Sequence, residues 1–242
     1  RAGAARAAGR IRRPLHHRRE HRPDRVRGAE RRYTNAALLQ EVVSTACVLR
    51  ERGVRRGDRI LVLLRNSVEW VVLDFAAQLL GAIPAALAPT ASEAHMRAFI
   101  EIIRPAVVFT ENVAHIRQQN TNADVCTVSA LITAGERHRG KGSELIADYE
   151  YDPESTLYLA STSGTTGTYK ACMIRYRNAL ASVEPFARGI PLGSEDRNLC
   201  FLPLSQTRVN DLYFFLYCEG QVCFANPFAD LLQQFTKYHP TF

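Results

Sequence analysis

The sequence lacks a C-x-x-C cysteine pair, and this absence argues against a structural zinc site. None of the six cysteines forms a C-x-x-C pair, the spacing from which such sites are commonly built. Buried free thiols in a reducing compartment account for them best, so a cytoplasmic location is expected. The cysteines are Cys47, Cys126, Cys172, Cys200, Cys218 and Cys223.

A long uncharged apolar run is also missing. A membrane-spanning helix needs about twenty apolar residues with few charges. The most apolar stretch, Val68–Pro89, carries Glu69, Asp74 and Gln78, and a glycine and a proline interrupt it. It therefore predicts a core helix followed by a buried strand rather than a transmembrane segment, while peripheral contact with a membrane stays open.

A positive net charge is missing outside the first 32 residues. The net charge is +7, but residues 1–32 hold twelve arginines and three acidic residues, a balance of +9, which leaves nineteen basic and 21 acidic residues, a balance of −2, for 33–242. With almost no large apolar residue, this arm is predicted to be disordered by itself. The alternatives are a solvated leader, an organellar transit peptide and an arm that binds nucleic acid or an anionic membrane. The arm has no serine, which transit peptides favour, and no aromatic residue to stack on bases.

Helical and strand patterns alternate along residues 33–242. This alternation predicts an α/β fold of mainly parallel sheets flanked by helices. The polar, glycine-bearing residues 131–153 predict a linking loop between a first α/β unit, about 33–150, and a second unit, about 151–242. Predicted helices cover about 35–52, 68–80, 92–103, 113–118, 178–188, 210–218 and 228–238; predicted strands cover 60–64, 82–87, 106–110, 124–129, 156–160, 172–175, 199–202 and 221–225.

The most informative segment is Thr162–Lys170, which follows the apolar strand pattern Thr156–Ala160. Gly164 and Gly167 let the backbone approach a ligand closely, and successive N–H groups in such a turn form an anion-binding concavity. The hydroxyls add hydrogen-bond donors. Lys170 adds a positive charge, and its attraction to a phosphate at about 4 Å amounts to roughly 4 kcal/mol before the cost of desolvation is subtracted. Because only two residues separate the glycines and alanine follows the lysine, this is not a Walker A loop. A surface turn is the alternative; we predict a polyphosphate-binding loop.

The same segment resembles the phosphate loop of the adenylate-forming superfamily, which includes acyl-CoA synthetases. The family pattern is Thr-Ser-Gly-Ser/Thr-Thr-Gly-x-Pro-Lys-Gly, and its first six positions and the lysine match here. The resemblance extends over about 33–242 and includes, in the family's order, Tyr33–Leu39, Gly53–Ile60, Leu80–Pro84, Ala88–Thr90 and Leu202–Ser205. Residues 211–242 look most like long-chain fatty acyl-CoA synthetases. There are four departures: Tyr169 replaces proline, Ala171 replaces glycine, Tyr176 replaces histidine, and Gln206 replaces the histidine that often follows Leu-Pro-Leu-Ser.

The resemblance implies ATP, a fatty acid and CoA as substrates, with Mg²⁺ as the metal. In the family reaction a carboxylate attacks the α-phosphorus of ATP, pyrophosphate leaves, and the CoA thiol then displaces AMP. Carried over to this sequence, the resemblance makes Lys170 the catalytic residue and assigns acyl binding to Ser205, Gln206 and Asn210. It assigns nucleotide binding to Thr162, Ser163, Gly164, Thr165, Thr166, Gly167 and Lys170.

The family's magnesium-binding glutamate and its adenylation lysine have no counterpart within residues 1–242, so no metal ligand is predicted in this chain. We therefore expect an N-terminal fragment of a synthetase that is inactive by itself. Two alternatives stay open at this point. One is a non-catalytic remnant of the family with weak or no nucleotide binding, and the other is a nucleic-acid-binding protein that uses the arginine-rich arm.

Overall fold

The structure, a computed structural model, describes residues 31–119, 121–163, 169–224 and 230–242. The chain divides into two units between Asn35 and Ala36, and the second unit extends to Phe242. The predicted arm, apart from its last two residues, and the centre of the predicted phosphate loop, 164–168, lie outside the described residues.

Strands and helices alternate through most of this unit. The strands are β1 (Arg59–Leu63), β2 (Ile83–Ala86), β3 (Val107–Thr110), β4 (Asp124–Cys126), β5 (Thr156–Ser163), β6 (Tyr169–Arg175), β7 (Arg197–Cys200) and β8 (Gln221–Phe224). The helices are α1 (Asn35–Glu51), α2 (Val68–Leu79), α3 (Glu93–Ile103), α4 (Val113–Arg117), α5 (Val128–Gly135), α6 (Ser143–Ala147), α7 (Tyr176–Gly189), α8 (Leu204–Arg208), α9 (Phe214–Tyr217) and α10 (Leu231–Tyr238). A 3₁₀ turn, Glu136–His138, follows α5, and a π-helical segment, Val209–Tyr213, joins α8 to α9.

Six strands form one mixed sheet in the order β4-β3-β1-β2-β5-β6, while β7 and β8 form a separate parallel pair. Every pairing in the large sheet is parallel except the antiparallel pairing of β5 with β6. The prediction of mainly parallel sheets flanked by helices is confirmed. Because β1, β2, β3 and β5 run in the same direction, their carboxyl ends share one edge, the edge at which ligands of open α/β sheets commonly bind.

The central strand β1 places alternate side chains on opposite faces of the sheet. Ile60 and Val62 belong to the core under α1 and α2. Leu61 and Leu63 belong to the core under α3. A strand that is buried on both faces reads as a continuous apolar run, which is why the sequence predicted it without an alternating pattern.

Serine caps fix the starts of the two helices that flank this sheet. The Trp70 amide donates to the Ser67 hydroxyl at 3.2 Å at the start of α2, and the His95 amide donates to the Ser92 hydroxyl at 3.2 Å at the start of α3. Such caps satisfy helix N–H groups that have no intrahelical partner. Both helix starts agree with the sequence prediction.

Two predictions between the sheet strands were wrong. The strand expected over 124–129 ends at Cys126, because Thr127 caps α5 by accepting from the Ala130 amide at 3.2 Å. The segment 131–153, expected to be a loop, contains most of α5, the 3₁₀ turn and α6.

Two further expectations need correction. The helix expected over 210–218 begins at Leu204 and contains the π-helical segment. Cys172, expected to be buried, is exposed on β6, although all six cysteines are free as predicted. No helix among the described residues is long and apolar enough to cross a membrane.

Candidate nucleotide and acyl site

The predicted phosphate loop connects β5 to β6. Thr162 pairs in register with Lys170, and Ser163 pairs with Tyr169. The hairpin therefore brings together Thr162, Ser163 and Lys170 from both sides of the loop. Gly164, Thr165, Thr166 and Gly167 lie outside the described residues.

The first and last residues of the predicted loop are accessible to solvent. Both Thr162 and Lys170 are exposed. The Thr162 hydroxyl lies 4.0 Å from the Cys172 sulfur. None of the ion pairs among the described residues involves Lys170. Within that part of the chain, the Lys170 ammonium is not committed to a carboxylate.

A histidine that the sequence analysis did not single out contacts both strands of this hairpin. His95 Nε2 lies 2.6 Å from the Ser161 hydroxyl on β5. Its ring stacks on Tyr169 of β6 with the centroids 4.2 Å apart and the planes 7° from parallel. Burial lowers the pKa of His95 below its ordinary value, which favours the neutral ring at neutral pH.

The predicted acyl-binding element, Leu202–Ser205, is fixed by Asn66, which lies three residues after the end of β1. The Asn66 side-chain amide donates to the Leu202 carbonyl at 2.7 Å and to the Cys200 carbonyl at 3.3 Å. Its carbonyl oxygen accepts from the Leu204 amide at 2.9 Å. One buried side chain thus joins the carboxyl end of β1 to the element that follows β7.

The three predicted acyl-binding residues lie on one helical run but differ in exposure. Ser205 is buried, whereas Gln206 and Asn210 are exposed. Asn210 lies in the π-helical segment, a type of helix irregularity that is frequent at functional sites. No hydrogen bond among the described residues joins this run to Thr162 or Lys170.

A buried polar cluster connects α2 with the helical run. Arg208 Nη1 lies 2.6 Å from Asp74 Oδ1. The Tyr213 hydroxyl donates to Asp74 Oδ2 at 2.5 Å, and the Gln78 side-chain amide donates to the same oxygen at 2.9 Å. Burial raises the pKa of Asp74, against the opposing effects of Arg208 and of these two hydrogen bonds. Burial also raises the pKa of Tyr213 far above its usual value, so its hydroxyl keeps the proton that it donates.

Aromatic rings surround the guanidinium of this cluster. The Arg208 guanidinium carbon lies 4.1 Å from the ring centroid of Tyr158 on β5 and 4.7 Å from that of Trp70 on α2. Trp70, Phe214 and Phe215 are buried in the core, whereas Tyr217 is exposed.

The described residues form no cluster of metal ligands. Among them, no group of three or more His, Cys, Asp or Glu side chains is arranged to hold a metal ion.

Comparison with known proteins decides the family. The family model for AMP-binding enzymes matches residues 15–242. The chain belongs to the AMP-binding enzyme family. This confirms the predicted membership of the adenylate-forming superfamily.

Several relatives of this AMP-binding chain are CoA ligases. It is 30% identical over 199 residues to 4-coumarate–CoA ligase 2 of Oryza sativa subsp. japonica, covering 72% of this chain and 35% of that protein. It is 25% identical over 225 residues to the long-chain-fatty-acid–CoA ligase FadD15 of Mycobacterium tuberculosis, covering 86% of this chain and 38% of that protein. The AMP-binding chain thus spans little more than a third of the length of these curated relatives.

A solved structure supports the fold. The complex of VinN with 3-methylaspartate superimposes with a TM-score of 0.74 at 23% identity, covering 86% of this AMP-binding chain and 57% of that one. At this identity the likeness concerns the fold alone.

Sequence reasoning predicted the loop but did not single out three side chains that join distant parts of the fold. His95, Asn66 and Arg208 each contact residues more than sixty positions away in the chain. The one available signal was Asp74, an acidic residue in the middle of the largely apolar Val68–Leu79 segment, with Gln78 four residues later on the same helix face.

Proposed function

We propose that this chain is the N-terminal part of an ATP-dependent acid–CoA ligase and that Thr162–Lys170 binds the triphosphate of ATP. The observation that carries the proposal is the pairing of Thr162 with Lys170 at the end of the β5–β6 hairpin, with both side chains exposed and Lys170 in no ion pair among the described residues. This hairpin end continues β5 past the carboxyl edge of the parallel strands, where a phosphate-binding loop is expected.

In this proposal Ser163, Thr165, Thr166 and Lys170 hold the β- and γ-phosphates. Gly164 and Gly167 allow the backbone of the loop to come close to them. The lysine charge and the hydroxyl and amide donors stabilise the negative charge that gathers on departing pyrophosphate when a carboxylate attacks the α-phosphorus. Mg²⁺, when bound to the nucleotide, supplies additional charge neutralisation. CoA is the acceptor of the second step.

The acyl or aryl group is assigned to the face of the helical run that carries Ser205, Gln206 and Asn210. Asn66 supports this assignment, because its three hydrogen bonds hold the start of the run at the carboxyl end of β1. Gln206 is neutral where the resemblance expects histidine, so a hydrogen bond that it donates to a substrate carboxylate lacks the attraction between opposite charges that a protonated histidine would add.

The substrate class is best given as a carboxylic acid with an apolar body. The relatives include a 4-coumarate–CoA ligase and a long-chain-fatty-acid–CoA ligase, which favour an aryl and an acyl substrate respectively. The resemblance of residues 211–242 favours the long-chain acid. We propose a fatty acid as the first substrate to test, with 4-coumarate as the alternative.

ATP titration of the 242-residue chain tests the loop assignment. A charge-assisted hydrogen bond contributes about 1.5–3 kcal/mol, so Lys170→Ala should weaken ATP binding about tenfold or more. Lys141→Ala is the matched control, since Lys141 is also exposed and lies outside the proposed site. Equal ATP affinities for Lys170→Ala and the parent would refute the assignment.

A second assay separates nucleotide binding from catalysis. The chain spans only part of its relatives, so the 242 residues alone should form no acyl-CoA. Release of pyrophosphate from ATP that depends on added fatty acid would contradict this expectation. Absence of both ATP binding and pyrophosphate release would instead favour a non-catalytic remnant.

A further inference from the structure

His95 lies on α3 but reaches the two strands that flank the proposed phosphate loop. Its Nε2 is 2.6 Å from the Ser161 hydroxyl, and its ring stacks on Tyr169 at 4.2 Å. Ser161 is two residues before the end of β5, and Tyr169 is the first residue of β6, directly before Lys170. A single side chain from outside the hairpin therefore contacts both strands at the end where the loop begins and ends.

We propose that His95 is a positioning residue of the nucleotide site. It holds the loop-bearing ends of β5 and β6 together and so fixes the direction in which the Lys170 side chain projects from β6. This inference rests on the function proposed above. His95 acts through Ser161 and Tyr169 and is not assigned a contact with ATP.

The helix that carries His95 is capped and packed against the sheet. Ser92 caps α3, and the helix buries Met96, Phe99, Ile100 and Ile103 against the sheet. The ring of Phe99, one turn further on, meets the His95 ring edge-on with the centroids 6.4 Å apart. Because the helix is packed along its length, the contacts of His95 can restrain the strands rather than follow them.

The strand that His95 contacts lies at an edge of the large sheet. Among the described strands, β6 pairs with β5 alone, and its residues Lys170, Cys172 and Met173 are exposed. Edge strands have one unpaired side and open more easily than central ones. Tyr169 stands where the family resemblance places proline, and its ring gives this chain a stacking partner that proline would not offer.

The chemistry of the two contacts suits a neutral ring. A neutral imidazole exchanges one hydrogen bond with a hydroxyl, as donor or as acceptor, and its ring stacks on Tyr169 with the two planes nearly parallel. A neutral ring also adds no second positive charge near the strand that carries Lys170.

Hydrogen exchange without nucleotide tests the restraint itself. His95→Phe keeps an aromatic ring but loses the bond to Ser161, whereas His95→Gln keeps a polar group but loses the stack. Both should raise amide exchange about threefold or more within 161–163 and 169–171, in the range expected for loss of one hydrogen bond or one stacked pair. His115→Gln on α4 is the control and should leave exchange in these segments unchanged. Parent-like exchange in both His95 variants would overturn the inference.

ATP affinity then tests whether the restraint serves binding. His95→Phe and Ser161→Ala should each weaken ATP binding by about three- to tenfold. The double variant should be no weaker than either single one, because both remove the same hydrogen bond. Additive losses would contradict the shared role.

The Lys170→Ala variant separates the inference from the function on which it rests. If Lys170→Ala weakens ATP binding and the His95 variants do not, the role of His95 fails while the proposed function stands. If Lys170→Ala has no effect, the proposed function fails. The exchange measurement, which needs no nucleotide, still decides whether His95 holds the hairpin.

Discussion

The Arg208 guanidinium and the Asp74 carboxylate form an ion pair at 2.6 Å with both side chains only 1% exposed. Arg208 Nε and Nη2 have no hydrogen-bond partner among the described residues, and the rings of Tyr158 and Trp70 lie beside the guanidinium instead. The pair joins α2 to the helical run that carries the proposed acyl-binding residues. The pair therefore links the large sheet, on which α2 packs, to the region around β7 and β8.

Removing one member of this pair should be strongly destabilising. Arg208→Met leaves Asp74 buried without its counter-charge, and we expect a loss of about 3–5 kcal/mol in the free energy of unfolding, measured by urea denaturation. Replacing both residues with apolar ones, Asp74→Leu with Arg208→Met, should lose less than Arg208→Met alone. Arg177→Ala, which breaks the exposed pair with Glu154, should change stability by less than about 1 kcal/mol. If the double variant proves less stable than Arg208→Met, the uncompensated charge is not the cause.

Asn66→Ala should loosen the acyl-binding element. It removes three hydrogen bonds and leaves the buried Leu204 amide without a partner, at an expected loss of about 1–3 kcal/mol for the orphaned group. Urea denaturation measures the stability, and exchange of the Leu204 amide reports the local effect. Ser67→Ala on the next residue removes only the cap of α2, about 1 kcal/mol, and should leave exchange of the Leu204 amide at the parent rate. Unchanged exchange of this amide in Asn66→Ala would speak against the role given to Asn66.

The sheet could be predicted from sequence because its signals are local. α2 and α3 begin at serine caps, and β1 and β3 are short apolar runs between turn signals. Where local signals conflict with tertiary contacts, the prediction failed. α6 lies in a polar segment that reads as a loop, yet Glu144 on α6 pairs with Arg50 on α1 at 3.0 Å, and Gly142 packs on α1.

The same distinction between local signals and tertiary contacts applies to the candidate site. Thr162–Lys170 could be predicted as a phosphate-binding loop because the residues that define the pattern are contiguous. His95, Asn66 and Arg208 could not be singled out, because each partner lies 66 to 138 positions away and nothing in the neighbouring sequence marks them. Tyr169 was noted only as a departure from the family pattern, and its partner became visible in the structure.

Gly142 should not tolerate a side chain. Its φ is +84°, and a Cβ there would lie 2.5 Å from Cys47 Sγ and 2.9 Å from Val43 Cγ1 on α1. Gly142→Ala therefore combines a left-handed backbone conformation with a steric clash, and we expect a loss of about 2–4 kcal/mol in the free energy of unfolding. Gly140→Ala, at φ +73° with nothing within 4 Å, isolates the backbone contribution and should lose about 1–2 kcal/mol. Equal losses in the two variants would show that packing against α1 plays no part.

Stability should fall as pH drops through the range in which histidine titrates, and His95 should account for part of the fall. Burial lowers the pKa of His95 in the folded chain, whereas the unfolded chain has the ordinary value near 6.5. The unfolded state therefore binds the proton more readily, so the stability contributed by the neutral ring is present above about pH 6.5 and is lost as pH falls toward the folded pKa.

Urea denaturation at several values between about pH 7.5 and 5.5 measures this loss. The buffers stay above the range of Glu51, Glu144 and Asp196, which titrate in more acidic solution. Hydrogen bonds lower the pKa values of all three, and neighbouring cations add to the effect at Glu51 and Glu144. His95→Gln has no ring to protonate, so its unfolding free energy should vary less with pH over this interval than that of the parent. Parallel pH profiles for the two proteins would mean that the contacts of His95 with Ser161 and Tyr169 do not depend on the neutral ring.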